Sequence, residues 1–315
     1  MNNLPKILVI LGPTASGKTS MALELAKKYD GEVVSMDSRQ VYKKMRIGTD
    51  KPEGEWKRDS SVPQNDSGEN FYMVENIPHH MLDIYEPTQE FSLADFKEQA
   101  VKCIKDILKR GKLPILAGGT GLYIEAIIDN MDIPTGTSDK KLRVELANKS
   151  LGELQKELKE KDPKSYSVID IQNPHRVVRA LEVVIQTGKS FVDLKTKSDP
   201  IFDVLQIGIK LDREVMYERI NKRVDEMVDD GLIEEVRGLV GDGFGYELQS
   251  MSGIGYKQVG YFLKGEMSLT EAIELLKRDT RRYAKRQVSW FKRDERIKWV
   301  EGIGETEELV DKFLK

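Results

Sequence analysis

The sequence predicts an α/β protein whose parallel sheet is interrupted by an all-helical insertion. Apolar runs alternate with helical patterns from residue 6 to residue 117 and again after residue 200. This alternation is typical of parallel strands joined by right-handed crossover helices. Residues 138–200, in contrast, carry helical patterns and no strand-like run. The predicted domains are a core of residues 1–137 and 201–315, which includes the C-terminal helices, and a helical insertion of residues 138–200.

Continuous apolar runs are the predicted strands of the core. The run KILVIL at Lys6–Leu11 has the composition of a strand that is buried on both faces. Residues 55–76 have little periodicity and carry Pro, Gly, Asn, Asp and Ser, so we predict a surface loop without catalytic duty there. The other predicted strands are residues 32–36, 113–117, 202–211 and 297–300.

Capping residues mark the predicted helices. Ser92 and Asp95 have the spacing of a capping box at the start of a helix. Inside the insertion, Asp162-Pro163 and Asn173-Pro174 mark two further helix starts. The predicted helices of the core are residues 18–29, 92–110, 213–230, 232–240, 268–293 and 306–314.

The composition indicates a protein of the soluble globular class. Of the 315 residues, 39% are hydrophobic and 33% are charged. No apolar stretch approaches the roughly 18 residues of a membrane span, and the N-terminal run is too short for a signal peptide. We therefore expect no membrane partner and a cytoplasmic location, with an organelle as the alternative if a transit peptide has been removed. We also expect a monomer. The lone Cys103 lies on an apolar helical face and is expected in the core. The net charge of −3 argues weakly against nucleic acid, although the local distribution of charge matters more.

Residues 12–19, GPTASGKT, match the phosphate-binding pattern G-x-x-x-x-G-K-[ST] in full, between a buried strand and a helix as the pattern requires. The glycines let backbone N–H groups turn towards phosphate oxygens, and the helix N-terminus adds partial positive charge. Lys18 supplies a cation, and the hydroxyl of Thr19 can hold Mg²⁺. The sequence therefore predicts a P-loop NTPase-like core that binds a diphosphate or a nucleotide such as ATP. The predicted ligands are Gly12, Pro13, Thr14, Ala15, Ser16, Gly17, Lys18 and Thr19.

Two further polar side chains follow strands that end beside this loop. Ligands of open α/β sheets bind beyond the carboxyl ends of the strands, and Asp37 and Thr120 follow the second and third predicted strands. Asp37 can act as a general base or hold a metal-bound water, with helix capping as the alternative. Thr120 can donate its hydroxyl to a diphosphate or bond to its own turn. An ATPase usually has a Mg²⁺-binding carboxylate where this third strand ends in Gly-Gly-Thr, so ATP hydrolysis is disfavoured and a kinase is not excluded.

The segment 277–298 is strongly basic. It carries ten Lys or Arg residues and three acidic residues, with Tyr283, Trp290 and Phe291 interleaved. Basic side chains attract a nucleic-acid backbone, and exposed aromatic rings can stack on unpaired bases. RNA binding is therefore predicted, with a solvated helix whose aromatic residues pack in the core as the alternative.

Two smaller pairs of arginines stand one helical turn apart. Arg176 and Arg179 lie on the insertion, and Arg219 and Arg223 lie on the predicted helix 213–230. The first pair can contact the substrate and the second pair can reach a second phosphate group, and surface ion pairing is the alternative for both. For the three histidines of the chain, structural or capping roles are favoured, since their spacing does not suggest a metal site.

Taken in order, the motifs resemble those of the bacterial tRNA dimethylallyltransferase family, whose members are also called tRNA isopentenyltransferases. The similarity extends over nearly the whole chain, and GPTASGKT followed by DSRQVY is highly specific. The segments that carry the resemblance are residues 12–20 (GPTASGKTS), 37–43 (DSRQVYK), 47–52 (IGTDKP), 78–83 (PHHMLD), 117–123 (AGGTGLY), 173–182 (NPHRVVRALE), 253–258 (GIGYKQ) and 280–290 (TRRYAKRQVSW).

The resemblance implies the transfer of a dimethylallyl group from dimethylallyl diphosphate to N6 of the adenosine just 3′ of the tRNA anticodon, with Mg²⁺ as cofactor. It implies that the phosphate loop grips the donor, that Asp37 takes the N6 proton and that Thr120 contacts the diphosphate. One of Arg219 and Arg223 would assist, and we favour Arg223. The implied contacts to the tRNA anticodon arm are Asp37, Ser38, Arg39, Gln40, His175, Arg176, Val177, Val178, Arg179, Gly253, Gly255, Tyr256, Lys257, Gln258, Arg281, Arg282, Lys285 and Arg286.

Three other functions stay open. An adenylate isopentenyltransferase that acts on free AMP would share the phosphate loop and the base, but would not need the helical insertion or the basic segment. A small-molecule kinase would use the loop for ATP. An RNA-binding switch without chemistry would not need Asp37 at all.

Overall fold

The computed structural model describes residues 4–57, 71–133, 139–194 and 197–315. The chain separates into two compact units, one of Met1–Ile124 with Ile201–Lys315 and one of Glu125–Pro200. The smaller unit thus begins within a helix, and earlier than the boundary that the sequence predicts at residue 137. That predicted boundary itself lies outside the described residues.

An eight-stranded sheet is the centre of the larger unit. Its strands are β1 Lys6–Leu11, β2 Gly31–Ser35, β3 Glu55–Lys57, β4 Phe71–Val74, β5 Ile77–His80, β6 Leu113–Gly118, β7 Asp203–Ile209 and β8 Lys298–Val300. Across the sheet the order is β3-β4-β5-β2-β6-β1-β7-β8. All neighbours are parallel except those of β4, which is antiparallel on both sides.

The predicted core strands are confirmed, with shifts of one or two residues at most of their ends. β1 matches its prediction at both ends, and every side chain from Ile7 to Leu11 is fully buried. Because β2, β6 and β1 are adjacent and parallel, their carboxyl ends lie together at one edge of the sheet. The loops that follow these three strands therefore meet at that edge, where open α/β sheets bind ligands.

The prediction of a surface loop over residues 55–76 is wrong at both ends. β3 and β4 pair there, and β4 turns into β5 through Glu75 and Asn76, whose φ angles are +51° and +64°. Two consecutive left-handed residues form the tight turn that suits a two-residue hairpin. The run FYMV, bounded by this turn, is the signal that the sequence offered. Residues 58–70 lie outside the described ranges.

The predicted helices of the larger unit are also confirmed. Ser92 caps its helix through the expected capping box with Asp95. Cys103 is half-buried rather than in the core, because it flanks the buried stripe of its helix and does not belong to it. The helices are α1 Lys18–Lys28, α2 Leu93–Lys109, α3 Gly121–Ile128, which runs into the smaller unit, α8 Arg213–Asp229, α9 Leu232–Gly241, α10 Tyr256–Leu263, α11 Leu269–Phe291 and α12 Ile303–Leu314.

The smaller unit contains four further helices and a core of its own. Asp162 and Asn173 cap helices that start with proline, as predicted. Leucines and small apolar residues of the longer helices form the core. The helices are α4 Lys140–Ala147, α5 Leu151–Lys161, α6 Pro163–Val168 and α7 Pro174–Thr187. Among the described helices of the whole chain, none is long and apolar enough to cross a membrane.

The second histidine of PHHMLD has a structural role, as the sequence favours. Glu32 on β2 is buried, and its carboxylate accepts hydrogen bonds from His80 at 2.6 Å and from Arg110 at 2.6 Å. Burial alone would raise the pKa of Glu32, but these two donors lower it below its usual value. Strands β2 and β5 and the end of α2 are thereby joined through one carboxylate.

We expect Arg110→Met to lower the free energy of unfolding by about 3 kcal/mol, because it removes one of the two donors, with His80 the other, that stabilise the buried carboxylate of Glu32. Lys112→Met, which removes an exposed ion pair with Asp30, should cost less than about 1 kcal/mol. Denaturant unfolding at neutral pH measures both. Because the pKa of Glu32 is lowered on folding, the Arg110 contribution is present above pH 4.5, the unfolded value, and is lost as pH falls below it. Equal losses in the two variants would contradict this assignment.

Candidate active site

The phosphate loop connects β1 to α1 and takes the turns that its pattern requires. Gly17 precedes α1 with φ +89°, a left-handed conformation that glycine adopts without strain, and Ala15 has φ +63°. The hydroxyl oxygen of Ser16 is buried and has no hydrogen-bond partner among the described residues. Thr19, in the first turn of α1, is exposed. A buried hydroxyl without a partner at a helix N-terminus is an unused donor for an anion.

The side chain of Lys18 folds back onto the phosphate loop. Its ammonium group donates to the carbonyl oxygen of Pro13 at 2.6 Å. Burial, followed by repulsion from Arg223, lowers the pKa of Lys18 to about 8, and attraction to Asp37 and Asp50 offsets only part of this. A bound anion would therefore stabilise the charged form of this lysine.

Asp37 and Thr120 lie side by side at the ends of β2 and β6, as the sequence predicts. One carboxylate oxygen of Asp37 accepts from the backbone N–H of Arg39 at 2.7 Å. The hydroxyl oxygen of Thr120 accepts from the backbone N–H of Ser38 at 3.4 Å. Tyr283 of α11 also reaches Thr120 with its hydroxyl, and burial, with the nearby Asp37 charge, raises the pKa of Tyr283 to about 12. Tyr283 is therefore a neutral hydrogen-bonding group at neutral pH.

Of the two candidate arginines on α8, Arg223 faces this region. Its guanidinium donates to the carboxylate of Asp50 at 2.5 Å, and both residues line the same cavity. Burial raises the pKa of Asp50, while attraction to Arg223 and Lys18 opposes that rise. Arg219 is exposed and does not line the cavity. Asp50 is a site residue that the sequence analysis missed, although it lies in the IGTDKP segment.

The cavity has a volume of 270 Å³ and two kinds of wall. Polar groups from Asp37, Ser38, Arg39, Asp50 and Arg223 line one part. Five apolar side chains also line the cavity, three at helical spacing on α8 and two from elsewhere in the unit. These apolar residues are Ile220, Val224, Met227, Ile254 and Leu276. Such a cavity suits a small molecule with a charged head and a short hydrocarbon tail.

Two residues from the implied set of tRNA contacts make hydrogen bonds within the protein. The side-chain amide of Gln40 donates to the carbonyl oxygens of Thr49 at 3.2 Å and Asp50 at 3.0 Å. The guanidinium of Arg39 donates to the carbonyl oxygen of Gln249 at 2.6 Å. Arg39 still lines the cavity, whereas Gln40 does not. Gln40 therefore fixes the loop that carries Asp50.

A carboxylate on α9 fixes the same loop from the other side. Glu235 accepts from the backbone N–H groups of Arg46, Ile47 and Gly48 at 2.8–3.1 Å, and from the hydroxyl of Tyr256 at 2.6 Å. Tyr256 is 1% exposed, and its ring fills the space beside Gly48 where a Cβ would not fit. Glu235 carries no local sequence signal, because its four partners are distant along the chain.

Burial corrects part of the predicted tRNA surface. The side chains of Tyr256, Gln258 and Val177 are at most 3% exposed and cannot make a direct contact. Tyr256 and Gln258 point inward to Glu235 of α9 and Asp279 of α11, and Val177 packs in the core of the smaller unit. Gly253 and Gly255 line the cavity, and Lys257 is exposed.

The exposed face of α11 is basic. Arg282, Lys285 and Arg286 are exposed, whereas Arg281 is half-buried and donates to Asn221. Phe291 packs in the core, as the alternative reading of the aromatic residues allows. In the smaller unit, His175 and Arg176 are exposed, Val178 is half-buried, and Arg179 pairs with the buried Glu182 at 3.3 Å.

The whole chain is similar to known proteins of one family. The family model described as IPP transferase matches residues 40–294, and one described as Isopentenyl transferase matches residues 5–57. A tRNA dimethylallyltransferase of Acetivibrio thermocellus is 45% identical over 320 aligned residues, which cover 99% of this chain and 97% of that relative. The chain belongs to the tRNA dimethylallyltransferase family. It is accordingly an enzyme of the prenyl-transferring class.

Solved structures of dimethylallyltransferases and their equivalents share the fold. The tRNA isopentenylpyrophosphate transferase of Bacillus halodurans is 37% identical with a TM-score of 0.68, covering 98% of this chain and 95% of its own. A eukaryotic dimethylallyltransferase described as acting on tRNA is 28% identical with a TM-score of 0.72, covering 91% of this chain and 69% of its own. The P-loop-like core that the sequence predicts is therefore the architecture of this family.

We expect the affinity of the protein for inorganic pyrophosphate to fall as the pH rises through about 8, because Lys18 loses its charge there. Calorimetric titration between about pH 6.5 and 9.5 brackets this pKa. In Lys18→Met the affinity should be lower throughout, with a smaller dependence on pH in this range. An identical pH dependence in the two proteins would show that another group titrates.

We expect Arg223→Gln to lower kcat/KM for dimethylallyl diphosphate by about 100-fold, as is usual when a charge-stabilising donor is removed. Arg219→Gln is the matched control, one turn away on the same helix but exposed and outside the cavity. It should change kcat/KM by less than about twofold, the size of a surface effect. Steady-state rates with the donor varied decide the assignment, and a larger loss in Arg219→Gln would reverse it.

Proposed function

We propose that the protein transfers a dimethylallyl group from dimethylallyl diphosphate to N6 of the adenosine immediately 3′ of the tRNA anticodon, and releases diphosphate. The observation that carries this proposal is the grouping of Asp37 and Thr120 with Arg223 beside the phosphate loop and an apolar wall. A base, an anion-binding group and a hydrocarbon pocket are what an alkyl transfer from a diphosphate needs. The names of the relatives support the same activity.

The donor diphosphate binds at the phosphate loop in this proposal. The unpaired hydroxyl of Ser16 and the ammonium group of Lys18 supply donors, and Arg223 faces them from α8. Thr120 donates to the diphosphate or to the bridging oxygen. The oxygen groups present also suit Mg²⁺, which Thr19 would hold beside the diphosphate and which would neutralise charge on the leaving group. The dimethylallyl tail lies against the apolar part of the cavity.

Asp37 acts as the general base. The C1–O bond of the donor breaks and the N6–C1 bond forms, while one N6 proton passes to the carboxylate of Asp37. The electron pair of the broken bond leaves with the diphosphate, where Lys18, Arg223 and Thr120 stabilise it. The backbone N–H of Arg39 holds one Asp37 oxygen, which leaves the other free to receive the proton.

The tRNA anticodon arm binds to basic surface on both units. The target base leaves its stack to reach Asp37, at a cost of a few kcal/mol that contacts to the phosphates offset. The exposed basic side chains favour tRNA over free AMP as the acceptor, since AMP would need none of them. Because tRNA is the acceptor, we place the enzyme in the cytoplasm. The exposed candidates are Arg282, Lys285 and Arg286 on α11, Lys257 on α10, and His175 and Arg176 on α7.

The test is transfer of radiolabelled dimethylallyl diphosphate, with Mg²⁺, to unmodified tRNA that carries adenosine 3′ of the anticodon. Label should enter tRNA, and the modified nucleoside should be N6-dimethylallyladenosine after digestion. Label in AMP alone would assign the free-nucleotide activity instead. Turnover of ATP without label transfer would assign a kinase and overturn the proposal.

Asp37→Asn should lower kcat by about 100-fold to 10,000-fold, because the amide cannot accept the proton. Its affinity for tRNA in a filter-binding assay should stay within about twofold of the wild type, since no phosphate contact is lost. Asp242→Asn, an exposed aspartate paired with Lys44 away from the cavity, is the control for loss of a carboxylate. Full transfer activity in Asp37→Asn would eliminate Asp37 as the base.

A further inference from the structure

A buried glutamine on α11 joins two loops of the active site. The side-chain oxygen of Gln287 accepts from the backbone N–H of Thr14 at 2.9 Å, and its amide nitrogen donates to the carbonyl oxygen of Gly119 at 2.9 Å. Gln287 is 6% exposed. Thr14 belongs to the phosphate loop after β1, and Gly119 immediately precedes Thr120 after β6. One side chain thus spans the two loops that would hold the donor.

The helix sits directly on the second of these loops. A Cβ at Gly119 would stand 2.2 Å from the amide nitrogen of Gln287, and a Cβ at Gly121 would stand 2.4 Å from the Trp290 ring. Only glycine fits at either position while α11 stays in place. The hydroxyl of Thr120, between them, is hydrogen-bonded to the hydroxyl of Tyr283 from the same helix. The position of Thr120 is therefore set by α11 as well as by β6.

The bond to Thr14 also shapes the phosphate loop. A phosphate loop binds its ligand with backbone N–H groups that point inward. The Thr14 N–H is turned to Gln287 and is unavailable to a ligand, which leaves the N–H groups nearer α1 for that purpose. The phosphate loop is thus held at Thr14, and the same side-chain amide of Gln287 connects it to the loop that carries Thr120.

We propose that Gln287 is a positioning residue that sets the separation between the phosphate loop and Thr120 and so determines affinity for the donor diphosphate. The inference rests on the proposed function for the identity of the donor. Nothing in the site makes Gln287 a contact to tRNA, because its side chain points away from the exposed Arg282 and Lys285 and into the protein.

Replacement of Gln287 leaves the buried carbonyl oxygen of Gly119 and the half-buried N–H of Thr14 without their partner. Each backbone group that loses its partner lowers the equilibrium population of the native loop arrangement by about tenfold or more. We therefore expect Gln287→Met, which keeps the length and loses both bonds, to weaken binding of inorganic pyrophosphate by at least about tenfold. The KM for dimethylallyl diphosphate should rise by a similar factor, while the affinity for tRNA stays within about twofold.

Gln206→Met is the matched control. Gln206 is also a buried glutamine, 3% exposed, and its amide donates to Asp294 on a loop outside the cavity. Both variants remove a buried polar side chain, so their thermal unfolding temperatures report the purely structural cost. Pyrophosphate affinity should fall only in Gln287→Met. Equal affinities in the two variants, or a loss of tRNA affinity in step with a loss of stability, would overturn the proposal.

Gln287→Glu supplies a signature that a structural role alone would not give. The carboxylate keeps an acceptor for Thr14 but repels the carbonyl oxygen of Gly119. Below about pH 6, where a buried carboxyl can take up a proton, the group again donates to Gly119. Pyrophosphate affinity relative to the wild type should therefore recover as the pH falls, and a ratio that is constant with pH would contradict the proposal. Calorimetry with pyrophosphate measures binding to the phosphate loop without an acceptor present. Failure of label transfer in the wild type would therefore overturn the proposed function and leave this result intact.

Discussion

The site depends on keeping Lys18 and Arg223 close together in a partly buried place. Burial, and after it repulsion from the nearby Arg223, lowers the pKa of Lys18 to about 8, because two cations close together and away from water repel strongly. Asp50 and Asp37 supply the compensating charge, and Asp50 pairs with Arg223 directly. The free site is therefore a balanced set of two cations and two carboxylates. A diphosphate adds negative charge to this set, so its binding strengthens the hold on both cations.

This compensation of charge requires that the loop with Asp50 keeps its position relative to Arg223 and Lys18. Glu235 gathers three backbone N–H groups of that loop, and Gln40 gathers two of its carbonyl oxygens. Glu235 belongs to α9, and Gln40 lies ten residues before Asp50 in the chain. Both bond to the backbone of the loop, so the fixation does not depend on what side chains that part of the loop carries. The Tyr256 hydroxyl completes the set on Glu235. The Asp50 side of the cavity is thus held in place by residues of α9 and α10.

The parts of the site that the sequence predicts are those encoded by neighbouring residues. The phosphate loop is a contiguous pattern, and Asp37 and Thr120 are each placed by a strand that ends just before them. Asp50, Glu235 and Gln287 were not predicted as site residues. Each bonds to partners more than 100 residues away in the chain, and no local sequence pattern indicates such contacts. The hairpin at β4 was missed for a related reason: its four-residue apolar run is short, and it lies beside a long polar stretch.

The motifs therefore mix two kinds of residue that look alike in the sequence. In DSRQVYK and GIGYKQ, Asp37 and Gly253 line the cavity, while Gln40 and Tyr256 hold the loop that carries Asp50. In the basic segment, Arg282 and Arg286 are exposed, whereas the neighbouring Gln287 is buried and faces the phosphate loop. In the proposed function, α11 offers one face to the tRNA and the other to the loops that bind the diphosphate, and so would keep both in fixed relation. Since the two substrates must meet within bonding distance, a single rigid helix is a direct way to align them.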